Sequence, residues 1–107
     1  MEWAHYGCRV NAVAPGVIAS SGLSNYPVDV QRAIRTDAAT NIPLRRLGTV
    51  REVAAAVVFL MTPAAAFVTG ATLRVDGGGS LYRPHYAVPD HSTSVAFDDL
   101  MTVSARL

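Results

Sequence analysis

The most regular pattern in the chain runs from Val50 to Met61. Val50, Val53, Val57 and Leu60 recur at spacings of three and four with Met61 beside them, the period of one helix face. Thr49-Val50-Arg51-Glu52 precedes the run as a capping box: the Thr49 hydroxyl can accept from the Glu52 amide while the Glu52 carboxylate reaches back to the Thr49 amide. The helix is therefore predicted to start at Val50. It is predicted to stop before Pro63, whose ring disfavours helical geometry at Thr62. Its other face is Ala54, Ala55, Ala56 and Val58, nearly without charge, so both sides are expected to be covered.

Arg9 to Ala14 is short and mostly apolar with two β-branched residues, and Pro15-Gly16 stops it. That fits a buried strand ending in a turn. Ala71 to Asp76 alternates, with Ala71, Leu73 and Val75 on one face and Thr72, Arg74 and Asp76 on the other. It is predicted as a second strand, closed by Gly77-Gly78-Gly79. Between them, Val17 to Asn25 mixes small positions with single apolar anchors and reads as a loop placed at a site. Pro27 to Ala39 follows as a modest amphipathic helix, with Val30, Ile34 and Ala38 at i, i+4 and i+8. Leu81 to Leu107 shows no sustained period and is expected to be a wrapping extension.

Two strands joined by a long connection that holds helices imply a parallel α/β arrangement. Two strands cannot bury both faces of the apolar sheet they imply, so the fold is expected to be incomplete and unstable on its own. A full six-stranded doubly wound sheet needs about 180 residues at roughly 30 per βα unit, and the chain has 107.

Composition narrows the function classes. Half of the residues are hydrophobic and 16% are charged, which excludes disorder of the whole. The net charge of +1 leaves no excess to hold nucleic acid or an acidic membrane. The longest apolar run, Val53 to Met61, is far short of the ~20 residues a bilayer span requires, and Met1 to Tyr6 lacks the features of a signal peptide. Cys8 is the only cysteine, which excludes an internal disulfide framework and suits a reducing, cytoplasmic setting. His5, His85 and His91 with Cys8 build no zinc motif, so no metal site is predicted. Ala105-Arg106-Leu107 is a small, basic, Leu tripeptide of the kind a peroxisomal receptor reads, and also a match that chance supplies easily.

Four blocks in register carry a family resemblance. They are Gly7-Cys8-Arg9-Val10-Asn11-Ala12-Val13-Ala14-Pro15-Gly16, Ile42-Pro43-Leu44-Arg45-Arg46-Leu47-Gly48-Thr49, Phe67-Val68-Thr69-Gly70 and Val75-Asp76-Gly77-Gly78. In order and spacing they resemble the C-terminal half of a short-chain dehydrogenase/reductase. The resemblance covers Met1 to about Ser80 and implies the C-terminal portion of a Rossmann-like doubly wound parallel sheet, seen here as two strands and two to three helices. Residues 1–80 would then belong to the NAD(P)-binding domain and 81–107 to a C-terminal extension. Pro15 to Ser20, Ser80-Leu81-Tyr82 and Tyr86-Ala87-Val88-Pro89-Asp90-His91 further resemble peroxisomal trans-2-enoyl-CoA reductases.

The resemblance implies an oxidoreductase using NADP or NAD. Its implied substrate is an acyl-CoA, a 2-enoyl thioester that takes a hydride at its β-carbon and a proton on the resulting enolate. It carries cofactor binding over to Pro15, Gly16, Val17, Ile18 and Ser20, the last standing where many members have Thr. The visible chemistry agrees, because ligands of open α/β sheets bind beyond the carboxyl ends of the strands. Pro15 there lacks an N–H and Gly16 lacks a Cβ, so backbone can approach a flat ring closely. The resemblance also implies a homo-oligomer, joined through Val50 to Met61 and Ala71 to Asp76.

No catalytic residue can be placed on the chain. The family's Ser, Tyr and Lys precede the strand seen here as Arg9 to Ala14, and the sequence contains no lysine at all. A Tyr proton donor without its pKa-lowering cation is not available, so the chain alone is expected to be inactive and to bind NADPH weakly. The alternative is a non-catalytic truncated protomer that acts as an interaction module. Gly77-Gly78-Gly79 reads as a turn rather than a phosphate loop, since Pro84 follows and no capped helix opens from it. Arg45-Arg46 reads equally as a phosphate contact and as a solvated loop pair.

Overall fold

A parallel ladder of two four-residue strands joins the two ends of the fold. The computed structural model describes residues 2–82 and 88–97. In it β1 (Ala12–Pro15) lies beside β4 (Thr72–Val75), with Ala12 opposite Thr72 and Pro15 opposite Val75. Parallel neighbours cannot be linked by a tight turn. The long crossover between these two carries α1 (Val28–Asn41) and α2 (Val50–Met61). This is the parallel α/β arrangement the alternation of strand and helix patterns implied.

The first strand starts three residues later than predicted and includes Pro15. Its predicted opening is held by side chains instead of a ladder. Arg9 donates to the Val68 and Leu60 carbonyls at 3.1 and 2.7 Å, and the Asn11 amide donates to Val68 O at 2.9 Å while accepting from Ala71 N at 3.0 Å. Pro15 is tolerated because Ala12 and Gly16 donate across, at 2.9 Å to the carbonyl of Ala71 just before β4 and at 3.0 Å to Val75 O. Proline falls out of phase with those donors, and its missing N–H costs the ladder nothing.

Val17 to Asn25 is not the plain loop predicted. Ile18 and Ala19 form β2, which pairs in parallel with β3 (Gly48–Thr49), and a 3₁₀ helix follows over Ser21–Asn25. Two residues are too few to show a period. Gly48 leaves room for the Ile18 side chain, since a Cβ there would stand 2.6 Å from Ile18 Cδ1.

In α2 the capping box forms as read, with Glu52 N donating to Thr49 Oγ1 at 3.2 Å and Thr49 N donating to Glu52 Oε2 at 2.8 Å. The helix ends at Met61 and Pro63 opens a short 3₁₀ turn. Its expected cover is not supplied by the described residues. No residue of α2 is buried, and Val58 and Met61 are 59% and 76% exposed. The helix α1 begins after Pro27, its N-cap, and runs to Asn41, two residues past the predicted end. Its inner side builds the small core, in which Ala38, Ile42 and Leu47 are buried and Ala19, Leu23 and Ile34 pack against them.

Residues 88–97 lie back along the loop between Ile42 and Thr49, with Ser94 N donating to Leu44 O. His85, Tyr86, Ala87 and the Ala105-Arg106-Leu107 tripeptide lie outside the described residues. Among the described residues no helix is long and apolar enough to cross a membrane.

Candidate functional site

The five candidate binding residues fall on one continuous bend between β1 and the 3₁₀ helix that starts at Ser21. Pro15 closes β1, Gly16 and Val17 make the bend, Ile18 enters β2 and Ser20 stands at the head of the 3₁₀ helix. Pro15, Gly16, Val17 and Ser20 are exposed, while Ile18 is half-buried. The bend lies beyond the carboxyl end of β1, the place where open parallel sheets bind ligands.

Gly16 is required by packing as well as by any ring that approaches it. A Cβ at this position would meet Asp76 Cα and Cβ at 2.8 Å each, so the bend can sit this close to the end of β4 only with glycine. Asp76 in turn fixes the glycine turn behind it. Its carboxylate accepts from Gly78 N at 2.9 Å and from Ser80 N at 3.0 Å. The hydrogen bonds from the Ser80 hydroxyl and backbone, then from Gly78 N, hold its carboxyl below the usual carboxylate range. Gly77 and Gly78 have φ of 62° and 84°, and a Cβ on Gly77 would strike Ile42 Cγ2 at 2.8 Å. The triplet is a structural turn against the core, in agreement with its sequence reading.

Two hollows flank the bend. One of about 390 Å³ is lined by Pro15, Gly16, Val17, Asn41, Ile42 and Ser80 among others. Another of about 490 Å³ runs under Val17 and Ile18 toward Arg46, Glu52 and Arg74. Ser20 lines neither. It makes no side-chain capping bond to the 3₁₀ helix, which leaves its hydroxyl available on the exposed side of the bend. This group can donate to a carboxamide or phosphate oxygen, and Val17 offers an apolar flank.

Sequence reading passed over the groups that hold this bend in place. Gly48 N donates to Val17 O at 3.0 Å, tying the bend to β3. Directly beyond, Arg46 and Glu52 form a half-buried ion pair, and Glu52 carries the Thr49 amide as well. The signal was present in part, since the capping box placed Glu52 at the start of α2. That Arg46 turns inward to meet it was not readable, because Arg45 takes a left-handed φ of 59° just before it. Arg45 itself bonds Asp90 at 3.2 Å. Neither arginine faces the bend as a free cation, which favours the structural reading of the pair.

A family model described as enoyl-(acyl carrier protein) reductase matches residues 1–80. Over 88 residues the chain is 42% identical to a tropinone reductase homolog of Arabidopsis thaliana, covering 78% of this chain and 32% of that protein. It is 48% identical over 81 residues to a 3-oxoacyl-(acyl-carrier-protein) reductase of Vibrio harveyi, covering 72% and 30%. Among solved structures it resembles a candidate 2-deoxy-D-gluconate 3-dehydrogenase of Agrobacterium tumefaciens with bound NADP. There the TM-score is 0.65 at 39% identity, over 75% of this chain and 32% of the other. An acetoin dehydrogenase of Enterobacter cloacae gives 0.61 at 32% identity, over 80% and 32%. The chain thus spans about a third of the length of the relatives it matches.

Proposed function

Because the chain belongs to the short-chain dehydrogenase/reductase family, we propose that it forms the nicotinamide side of an NADP- or NAD-dependent oxidoreductase site. The observation that carries this reading is the bend beyond β1, seated on Asp76 through Gly16 and exposed from Pro15 to Val17. Such a surface accepts a flat ring against backbone, with the Ser20 hydroxyl beside it for a polar substituent. The NADP bound to a structural neighbour supports the cofactor class. When bound, a reduced nicotinamide supplies a hydride. Pro15, Gly16, Val17, Ile18 and Ser20 would hold one edge of its ring and keep water from that side. The proton donor would come from residues other than these, since the chain holds no lysine to form a Tyr-Lys pair.

For the substrate we favour a trans-2-enoyl-CoA. The likeness of Pro15 to Ser20, of Ser80-Leu81-Tyr82 and of Tyr86 to His91 to enoyl-CoA reductases supports this, as does the description of the matching family model. A 3-oxoacyl carbonyl is the nearest competitor, given the Vibrio relative. Residues 81–107 would form an extension of the family domain.

An NMR titration of the labelled chain with millimolar NADP⁺ tests the cofactor reading. Amide shifts confined to Val17, Ile18 and Ser20 and their β3 neighbours are expected, and unmoved amides there would overturn it. Grafting residues 1–107 in place of the matching third of the Vibrio relative then compares NADPH oxidation with enoyl and 3-oxoacyl thioesters. A chimera active on 3-oxoacyl substrate alone would remove the enoyl assignment.

A second reading, a non-catalytic protomer, is favoured by one observation. Val50, Val57, Val58, Phe59 and Met61 on α2 and Leu73 on β4 are exposed. These exposed apolar positions would dock on another copy or on a full-length relative. Absence of a mixed oligomer on size exclusion with such a relative would count against it.

A further inference from the structure

We propose that the segment 88–97 is a strap that positions the nicotinamide wall, acting through Arg46 and Glu52 on β3 and through β3 on Ile18 and Ala19. The proposal rests on the reading of Pro15 to Ser20 as that wall.

The chain of contacts is continuous. From the strap, Ser94 offers both its carbonyl and its hydroxyl to Arg46 Nε, at 3.1 and 2.9 Å, and Val95 O accepts from Nη2 at 3.4 Å. Phe97 N donates to Glu52 Oε1 at 3.1 Å, and Phe97 O accepts from Thr49 Oγ1 at 3.0 Å. The Thr49 hydroxyl therefore donates to the strap while it accepts from Glu52 N to cap α2. From the hub, Glu52 Oε2 accepts from Thr49 N, and Arg46 Nη1 donates to Leu47 O at 3.0 Å. These two bonds bracket Gly48, whose own N–H holds Val17 O and whose missing Cβ admits Ile18.

Each part of this chain is weak without the next. The β2·β3 ladder has two residue pairs, far below what stands alone in water. Its fixed geometry must come from the groups behind it, and those are Arg46 and Glu52. Their side chains are 19% and 18% exposed, dry enough that donors and acceptors left without partners weaken the hub. The strap fills those positions with two carbonyls, a hydroxyl and an N–H. Further along it, His91 lies within hydrogen-bonding distance of the Pro43 carbonyl, at 2.9 Å, and Arg45 bonds Asp90, which fastens the strap to the same loop. The strap is a positioning element in this scheme and touches no reacting atom.

Amide hydrogen exchange on the 107-residue chain tests this. Gly48 and Thr49 report the hub and β3, while Ala12 and Gly16 in the β1·β4 ladder serve as internal references. Phe97→Pro removes the strap N–H that reaches Glu52, and Phe97→Ala keeps it. A second variant ends the chain after Tyr82. At least tenfold faster exchange at Gly48 and Thr49 is expected in the proline and truncated chains, with the references unchanged and the alanine chain like the original. Unchanged exchange at Gly48 and Thr49, equal acceleration at all four amides, or no protection at Gly48 in the original chain would overturn the proposal. NADP⁺ shifts at Val17, Ile18 and Ser20 separate the two ideas. Strap-dependent exchange without those shifts retains the strap and loses the wall, whereas equal shifts with and without the strap retain the wall and lose the strap.

Discussion

Arg46 and Glu52 meet through two parallel hydrogen bonds, Nη1 to Oε2 at 2.9 Å and Nη2 to Oε1 at 2.6 Å. A planar guanidinium fits a carboxylate in this forked way, and the pairing is stronger than that of a point charge. With Thr49 N and Phe97 N on the same carboxylate, four donors converge on Glu52. The pair therefore ties the start of α2, the end of the preceding loop and the strap into one unit.

The first consequence is a pH dependence. The Arg46 hydrogen bonds, helped by those from Thr49 and Phe97 and opposed by partial burial, lower the Glu52 pKa from 4.5 to about 2. Since the folded value lies below the unfolded one, the stabilisation is fully present above about pH 4.5 and is lost as pH falls toward 2. Allowing for solvent screening, the loss is on the order of 1 to 2 kcal/mol. Urea unfolding across this range should show the decline, and Glu52→Gln should flatten it. An unchanged slope in the Gln variant would remove Glu52 from the account. Asp76, also held below its ordinary value, acts in the same direction.

Thr49 carries a second prediction. Its hydroxyl caps α2 and reaches Phe97 O, so Thr49→Ala should cost about 1 kcal/mol, the usual effect of a lost N-cap. Thr49→Ser keeps the hydroxyl and should recover most of it. Chemical denaturation midpoints of the three chains are the measurement, and equal losses in Ala and Ser would point to the methyl group instead of the cap.

What could be read from the sequence follows the range of the interactions. The capping box and the end of α2 before Pro63 are set by residues within a few positions, and both were legible. The strand Ala71 to Asp76 was found because alternation survives even in a short element, though only Thr72–Val75 pairs. Ile18 and Ala19 were missed because a two-residue strand exists only by virtue of Gly48 and Thr49, some thirty positions away. That the tail wraps was expected from its lack of period, and residues 88–97 do lie back along the fold; where they bind was not readable, since they contribute mostly backbone groups, which leave no trace in side-chain pattern. On α2 the nearly uncharged outer face led to the expectation of cover, and the described residues do not provide that cover. The bend after β1 was legible as a turn from Pro15-Gly16. The role of Gly16 against Asp76 needed the fold.

Gly16 and Gly48 give a final, paired prediction, because the atoms a new Cβ would meet differ in kind. At Gly16 the nearest are Asp76 Cα and Cβ at 2.8 Å, backbone and its first side-chain atom, which can move only if β1 and β4 part. At Gly48 the nearest is Ile18 Cδ1 at 2.6 Å, the tip of a flexible side chain that can rotate away. Neither glycine has a positive φ, so the cost is one of space alone. Gly16→Ala should therefore destabilise by about 1–3 kcal/mol, the range for overpacking against atoms that cannot yield. Gly48→Ala should cost less in stability, yet it should turn Ile18 out of its place in the wall. Urea midpoints read the first effect, and the Ile18 δ-methyl NMR shift reads the second. A Gly48→Ala chain as unstable as Gly16→Ala would mean that Ile18 is locked by its neighbours. Its position would then be fixed by the core around Ala38 and Leu47 and not by the space that glycine leaves.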